Sequence, residues 1–240
     1  MKPRLIAGGF AVGLPGIIAI NLLLMPVLLA GKPLPVPMWV AQLGSTLQSC
    51  VMLAIALCAG AFLAPKVGLR APLLMAWAER RPLAQAGKPL LVPGLVGGVL
   101  GAALILLAGQ FTPPELKAVT PFPVLARVLY GGVTEELLMR WGFMTLVAWI
   151  IWRLFQRRAA TPSSAVIVAA IITTALMFGA GHLPAAVSLL GHLTPHVIIL
   201  VLLGNAAFSL IAGWLYWKIG LEAAIIAHIT THLGVLLFTM

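Results

Sequence analysis

"GGVTEELLMRWGF", residues 131–143, sets Glu135, Glu136 and Arg140 inside apolar sequence, and "HITTH", residues 228–232, does the same for His228 and His232. Residues four apart on a helix lie one turn apart on one face, so Glu136 and Arg140 can pair and the two histidines can act together. Glu135 points about 100° away from Glu136 on an α-helix. Its carboxylate is left free to face another neighbour and to carry a proton in a reaction. Histidines at i, i+4 suit a metal ion or a catalytic pair. Ile229 stands where a zinc-protease helix of the HExxH type needs glutamate, so that chemistry is excluded on this helix. His182, in "MFGAGHLP", completes the set; glycines precede it and Pro184 follows, a place where a helix ends or loosens. Each group also has a plainer reading. The glutamate–arginine pair can serve helix packing alone, and a lone histidine can be a hydrogen-bonded packing residue. Together they are five costly polar groups, with Arg140, on three apolar segments, and ionisable residues within a membrane mark functional sites by default.

The composition requires that membrane. The chain has 240 residues, 62% hydrophobic and 8% charged, with a mean hydropathy of +1.11, whereas soluble domains carry about 25% charged residues. Seven apolar runs of roughly the length that crosses a bilayer lie near residues 5–30, 38–64, 91–111, 123–151, 164–183, 196–217 and 220–239. The expected fold is all-α: a polytopic membrane helix bundle of about seven transmembrane helices in a single integral membrane domain, 1–240. The first run follows Lys2 and Arg4, contains Pro15 and lacks a small-residue cleavage site, which favours a retained anchor over a signal peptide. Cys50 and Cys58 share one apolar run and read as buried thiols rather than a disulfide framework.

The net charge of +10 is distributed as a topology signal rather than a nucleic-acid surface. Lys2, Arg4, Lys66, Arg70, Arg80, Arg81, Lys88, Arg153, Arg157, Arg158 and Lys218 all fall on one side of the seven spans, eleven in number, against Lys32 and Lys117 on the other. The positive-inside bias places the N-terminus in the cytoplasm and the C-terminus outside, as expected of a multi-pass protein of the plasma or inner membrane. The basic connection 65–90 alternates Leu73, Leu74 and Trp77 with Arg70, Arg80 and Arg81, the pattern of a short cytoplasmic helix at the membrane interface. Glycines in "GLVGGVLGAA", including Gly94 and Gly98, suit close helix packing. Arg127 reads as snorkelling or locally paired, and His192 and His196 as interfacial. Trp141, Trp149, Trp152, Trp214, Tyr216 and Trp217 read as anchors or packing, and Glu222 as a helix N-terminal charge.

Glu135-Glu136-x-x-x-Arg140, Phe178-x-x-x-His182 and His228-x-x-x-His232 follow in the motif order of the CAAX protease and bacteriocin-processing (CPBP) intramembrane peptidases, which the chain resembles. "GLRAP" (68–72) and "AGWLYWKIGLEAAIIAHITTH" (212–232) look like that family as well. The resemblance is specific over 122–235, the expected catalytic core, and vague over helices 1–111. It implies that Glu135 activates water together with His182, that Glu136 and Arg140 support the site, and that His228 and His232 complete it. The family's last motif usually ends in Asn or Asp; here it ends in His232, which can still donate a hydrogen bond or ligate a metal. Two forms of the chemistry stay open. Zinc could be held by His228 and His232 with His182 or Glu135, or water could be activated without a metal, which is the preferred form.

The resulting expectation is an intramembrane endopeptidase acting on a membrane-associated protein or peptide, with the lipid bilayer as its other partner and no nucleic acid. A non-proteolytic interaction or immunity protein and a proton-coupled transporter are the alternatives. The transporter needs a polar path, for which helices 1–3 offer only Asn21, Gln42, Ser45, Thr46, Gln48 and Ser49. Depth is the difficulty. At 1.5 Å per residue, His228 and Glu135 fall near mid-membrane, but His182, about 30 Å past Pro162, falls near the outer face. Reporter fusions at residues 88 and 240 should give opposite compartments; the same compartment for both would remove the seven-span topology.

Overall fold

The computed structural model describes residues 2–113 and 122–239, and among these it contains helices and no strands. Eight helices follow one another: α1 Lys2–Leu29, α2 Met38–Val67, α3 Pro72–Ala78, α4 Leu83–Gln110, α5 Val124–Phe155, α6 Ser164–Leu190, α7 Pro195–Lys218 and α8 Leu221–Thr239. All except α3 are long and apolar enough to cross a membrane. The connections are short, so successive long helices run in opposite directions. One end of the bundle therefore collects the basic connections, and the other collects the 30–37 and 191–194 turns.

Glycines bring α4 against α8, the helix that carries His228 and His232. A Cβ on Gly94 would lie 2.7 Å from Ile226 Cβ, one on Gly98 2.3 Å from Thr230 Cβ, and one on Gly101 2.3 Å from Thr231 Oγ1. The approach is close enough for the Thr231 hydroxyl to donate to the Gly98 carbonyl at 3.1 Å. The opposite side of α4, with Val92, Val96 and Val99, is exposed where lipid would lie.

The short α3 forms where the basic connection predicts it, but it is docked into the bundle rather than resting on a surface. Ala76 and Ala78 are buried, and Trp77 covers Gly8 so closely that a Cβ there would meet the indole ring. Glu222 accepts the Leu74 amide at 2.8 Å, so it caps α3 besides placing a negative charge in the first turn of its own helix. The Leu221 amide donates to the Arg70 carbonyl, and Arg70 Nε donates to the Ile219 carbonyl. The family-like stretches at 68–72 and 212–232 are thus in direct contact.

Several boundaries differ from the sequence reading. Helix α4 begins at Leu83 rather than near 91, because Pro89 and Pro93 are absorbed within it. Helix α6 continues to Leu190 instead of ending near 183. His182 makes only a turn, and Pro184 lies in the first turn of the continuing segment, where its missing amide costs no hydrogen bond. Cys58 is exposed and Cys50 half-buried, so the expected buried thiols are not found. Trp141, Trp152 and Tyr216 are core residues, while Trp214 is exposed and Lys218 sits 3.5 Å above the Trp217 ring.

Gly98→Ala should destabilise the protein by about 1–3 kcal/mol, as overpacking does. Gly109→Ala, with nothing within 4 Å of the new Cβ, should be neutral or slightly stabilising. Thermal unfolding of the two variants in detergent checks the contrast.

Candidate active site

The site is built around Glu136, which has no exposed surface. Its Oε2 lies 3.2 Å from Arg140 Nε, the i, i+4 ion pair expected from the spacing. The two atoms are close without forming an aligned hydrogen bond. Oε1 accepts from His228 Nδ1 at 2.8 Å, a link across from α8 to α5. Arg140, equally buried, donates from Nη2 to Ser209 Oγ at 2.9 Å and to the Ser209 carbonyl at 3.3 Å, and its guanidinium lies 5.0 Å from the Phe178 ring centre. One carboxylate, one guanidinium and one imidazole therefore join α5, α6, α7 and α8 at a single level.

Helix α5 is not regular α-helix here. Arg127–Thr134 and Leu137–Met144 are π-helical, with Glu135 and Glu136 between them. Thr134 and Thr145 hydroxyls donate to the carbonyls five residues back, at Leu129 and Arg140. π-helical turns inside α-helices are frequent at functional sites. The wider turn still brings Glu136 and Arg140 together, and Gly131 and Gly132 give α8 room. A Cβ on Gly131 would stand 2.6 Å from His232 Nε2, and one on Gly132 2.5 Å from Ile229 Cγ1.

Glu135 faces elsewhere. It is half-buried and lines a cavity of about 360 Å³ together with His182, His228, His232, Arg127, Tyr130, Asn205, Phe178 and Phe208. No hydrogen bond or ion pair joins its carboxylate to another described residue. His182 reaches the same cavity despite its place late in α6. It is about 27 Å along the helix from Ser164, with a further ~12 Å of helix beyond it. Its Nδ1 donates to the Phe178 carbonyl at 2.7 Å, which leaves Nε2 with its lone pair. The rings of His228 and His232 stack at 4.8 Å and 22°, and Phe208 and Phe178 pack on His228 at 4.4 and 6.1 Å between centres.

This arrangement does not form a zinc shell from Glu135, His182, His228 and His232. Among the described residues, no three His, Cys, Asp or Glu side chains are disposed to hold one metal ion.

The sequence reading overlooked Asn205 and Ser209. They are four apart in an apolar span, the same one-turn polar spacing that singled out the other pairs. Ser209 holds Arg140, and Asn205, whose amide donates to the Val201 carbonyl at 2.8 Å, lines the cavity. Arg127 lines the cavity too, without an ion-pair partner among the described residues. His196 lies outside it and donates to the Phe111 carbonyl at 3.0 Å, and His192 is exposed. Asn21, Ser45 and Ser49 border a second cavity of about 280 Å³ that meets the first at Ile20, Leu28 and Tyr130.

Removing the charge at position 136 leaves Arg140 buried and unpaired. Glu136→Gln should therefore cost about 3–5 kcal/mol of stability, the usual result of breaking a buried ion pair from one side. Glu135→Gln, at a carboxylate without partners, should unfold like the wild type. A reversed order of the two melting temperatures would refute this division of roles.

Residues 117–234, about half of the chain, match the family model described as Rce1-like, type II CAAX prenyl endopeptidase. No curated protein and no solved structure matches the chain. The matched region contains all three motifs and every helix that contributes to the Glu136 cluster: the chain belongs to the CAAX protease and bacteriocin-processing family of intramembrane peptidases.

Proposed function

We propose that the protein is an intramembrane endopeptidase that hydrolyses a peptide bond of a membrane-associated protein or peptide, with Glu135 as the base. The observation that carries this reading is the contrast between adjacent carboxylates. Glu136 is consumed by Arg140 and His228, whereas Glu135 is held without a partner in a cavity lined by three histidines.

In the proposed reaction a water molecule sits between Glu135 and His182 Nε2. Glu135 takes a proton as the water oxygen attacks the scissile carbonyl carbon, forming a C–O bond and placing negative charge on the carbonyl oxygen. His232 is suited to donate a hydrogen bond to that oxyanion, while His228, whose Nδ1 proton goes to Glu136, stacks its ring on His232. Glu136 fixes the orientation of the His228 ring through Nδ1. Collapse of the intermediate breaks the C–N bond, and the proton held by Glu135 passes to the leaving nitrogen. The products are one new carboxyl end and one new amine end.

Glu135→Gln should abolish cleavage without loss of fold. His232 separates the two forms of the chemistry, because asparagine donates a hydrogen bond well but is a poor zinc ligand. His232→Asn should keep substantial activity, and His232→Ala should lose roughly 10²–10³-fold, the effect of a missing oxyanion donor. An Asn variant as inactive as the Ala variant, with zinc lost from the purified protein in parallel, would overturn the metal-free form.

A further inference from the structure

We infer that the basic end of the bundle holds one anionic phospholipid, with its phosphate between Arg70 and Arg81 and its acyl chains along the outer face of α4. The site lies apart from the Glu135 cavity, with no lining residue in common, and needs no peptidase activity.

A cavity of about 410 Å³ lies between α3, the start of α4 and the turn before α8. Arg70, Arg81 and Gln85 line it beside Met75, Pro89 and Leu90. The two arginines flank α3, one before its first residue and one beyond its last. Arg70 is fastened to the turn before α8: its Nε donates to the Ile219 carbonyl at 3.3 Å, and its carbonyl accepts from the Leu221 amide at 3.0 Å. Arg81 is placed by the turn that ends α3. There the Arg80 amide donates to the Trp77 carbonyl at 3.1 Å and the Arg81 amide to the Ala76 carbonyl at 2.8 Å. Arg80 itself has a φ of 58°, the left-handed position that glycine normally fills at a helix end. The chain thus keeps a cationic side chain where the backbone favours none.

Both guanidinium groups engage the protein through Nε alone, Arg70 with Ile219 and Arg81 with Glu79 at 2.6 Å. Their Nη groups have no hydrogen-bond partner among the described residues, and both side chains are exposed. Free N–H groups on paired forks are what phosphate oxygens accept. Residues 65–90 carry Lys66, Arg70, Arg80, Arg81 and Lys88 against Glu79 as the one acid, so an anion stays favoured with the Glu79 pair in place. The rest of the wall selects a lipid over free phosphate. Met75, Pro89 and Leu90 are apolar, and the face of α4 that holds Gln85 and Pro89 continues through Val92, Val96 and Val99, all exposed. From Gln85 to Val99 this stripe spans about 21 Å, more than the ~15 Å of hydrocarbon in one leaflet. An acyl chain can cover it, and a phosphate ion would leave it bare.

Thermal unfolding of the full chain in a neutral detergent tests the site, with phosphatidylglycerol or phosphatidylcholine added at equal mole fraction. Phosphatidylglycerol should raise the unfolding temperature and phosphatidylcholine should not, since a lipid bound to the folded state alone stabilises it by mass action. No shift with phosphatidylglycerol, or the same shift with both lipids, would overturn the inference. Inorganic phosphate and glycerol phosphate should leave the unfolding temperature unchanged. A shift with either as large as that with phosphatidylglycerol would mark a site for free anions and overturn the lipid assignment. Arg81→Gln and Gln85→Glu change exposed side chains, so both should fold as the wild type does. Each should raise the phosphatidylglycerol needed for half of the shift about fivefold, the effect of one charge at an anionic surface. Arg157→Gln removes a like charge outside the cavity and should respond as the wild type does. An unchanged response in Arg81→Gln and Gln85→Glu, or an equal loss in Arg157→Gln, would show general charge attraction in place of a site.

Discussion

A carboxylate sealed from water, Glu136, sets the geometry that everything else follows. Taking a charge out of water costs several kcal/mol even after relaxation, unless partners surround it. Arg140 supplies the counter-charge from the same helix and His228 supplies a hydrogen bond from α8. The guanidinium then needs partners of its own, and it finds Ser209 on α7 and the face of Phe178 on α6. One buried charge thus fixes the relative level of four helices. The glycines of α4 support this from behind, holding α8 so that His228 and His232 keep their place.

With Glu136 committed to structure, the neighbouring carboxylate can be left without a partner. Such a group is expensive in a membrane and persists where the surrounding structure enforces it. Beyond this level Thr145 Oγ1 and Tyr216 Oη share a buried hydrogen bond at 2.8 Å. Leu137, Trp141 and Met144 pack around that pair, all of them buried.

The sequence made the seven spans and the Glu136–Arg140 pair readable because both depend on local regularities: apolar length and one-turn spacing. It also showed that Glu135 and Glu136 must have different surroundings. The common level of His182 with the other groups was not readable. Counting residues from Pro162 assumes that the helix ends at the proline after His182, whereas Pro184 opens a further helical segment and α6 runs on to Leu190. The π-helical turns around the glutamates were hidden because no residue type demands them; they arise from how α5 packs between its neighbours. Glu222 was read from its own helix, and its bond to Leu74 is a tertiary contact across 148 positions. Asn205 and Ser209 were within reach of the rule that found the other pairs. Their small, uncharged side chains stand out less in an apolar helix than glutamate or histidine does.

The central claim is that Glu135 carries chemistry while Glu136 carries structure. Mapping of polypeptide ends in membranes from cells making the wild type or Glu135→Gln, at matched protein levels, tests it most directly. The account predicts a set of cut ends present with the wild type and absent with the variant, together with intact precursors that accumulate in the variant. Identical ends in both would contradict it.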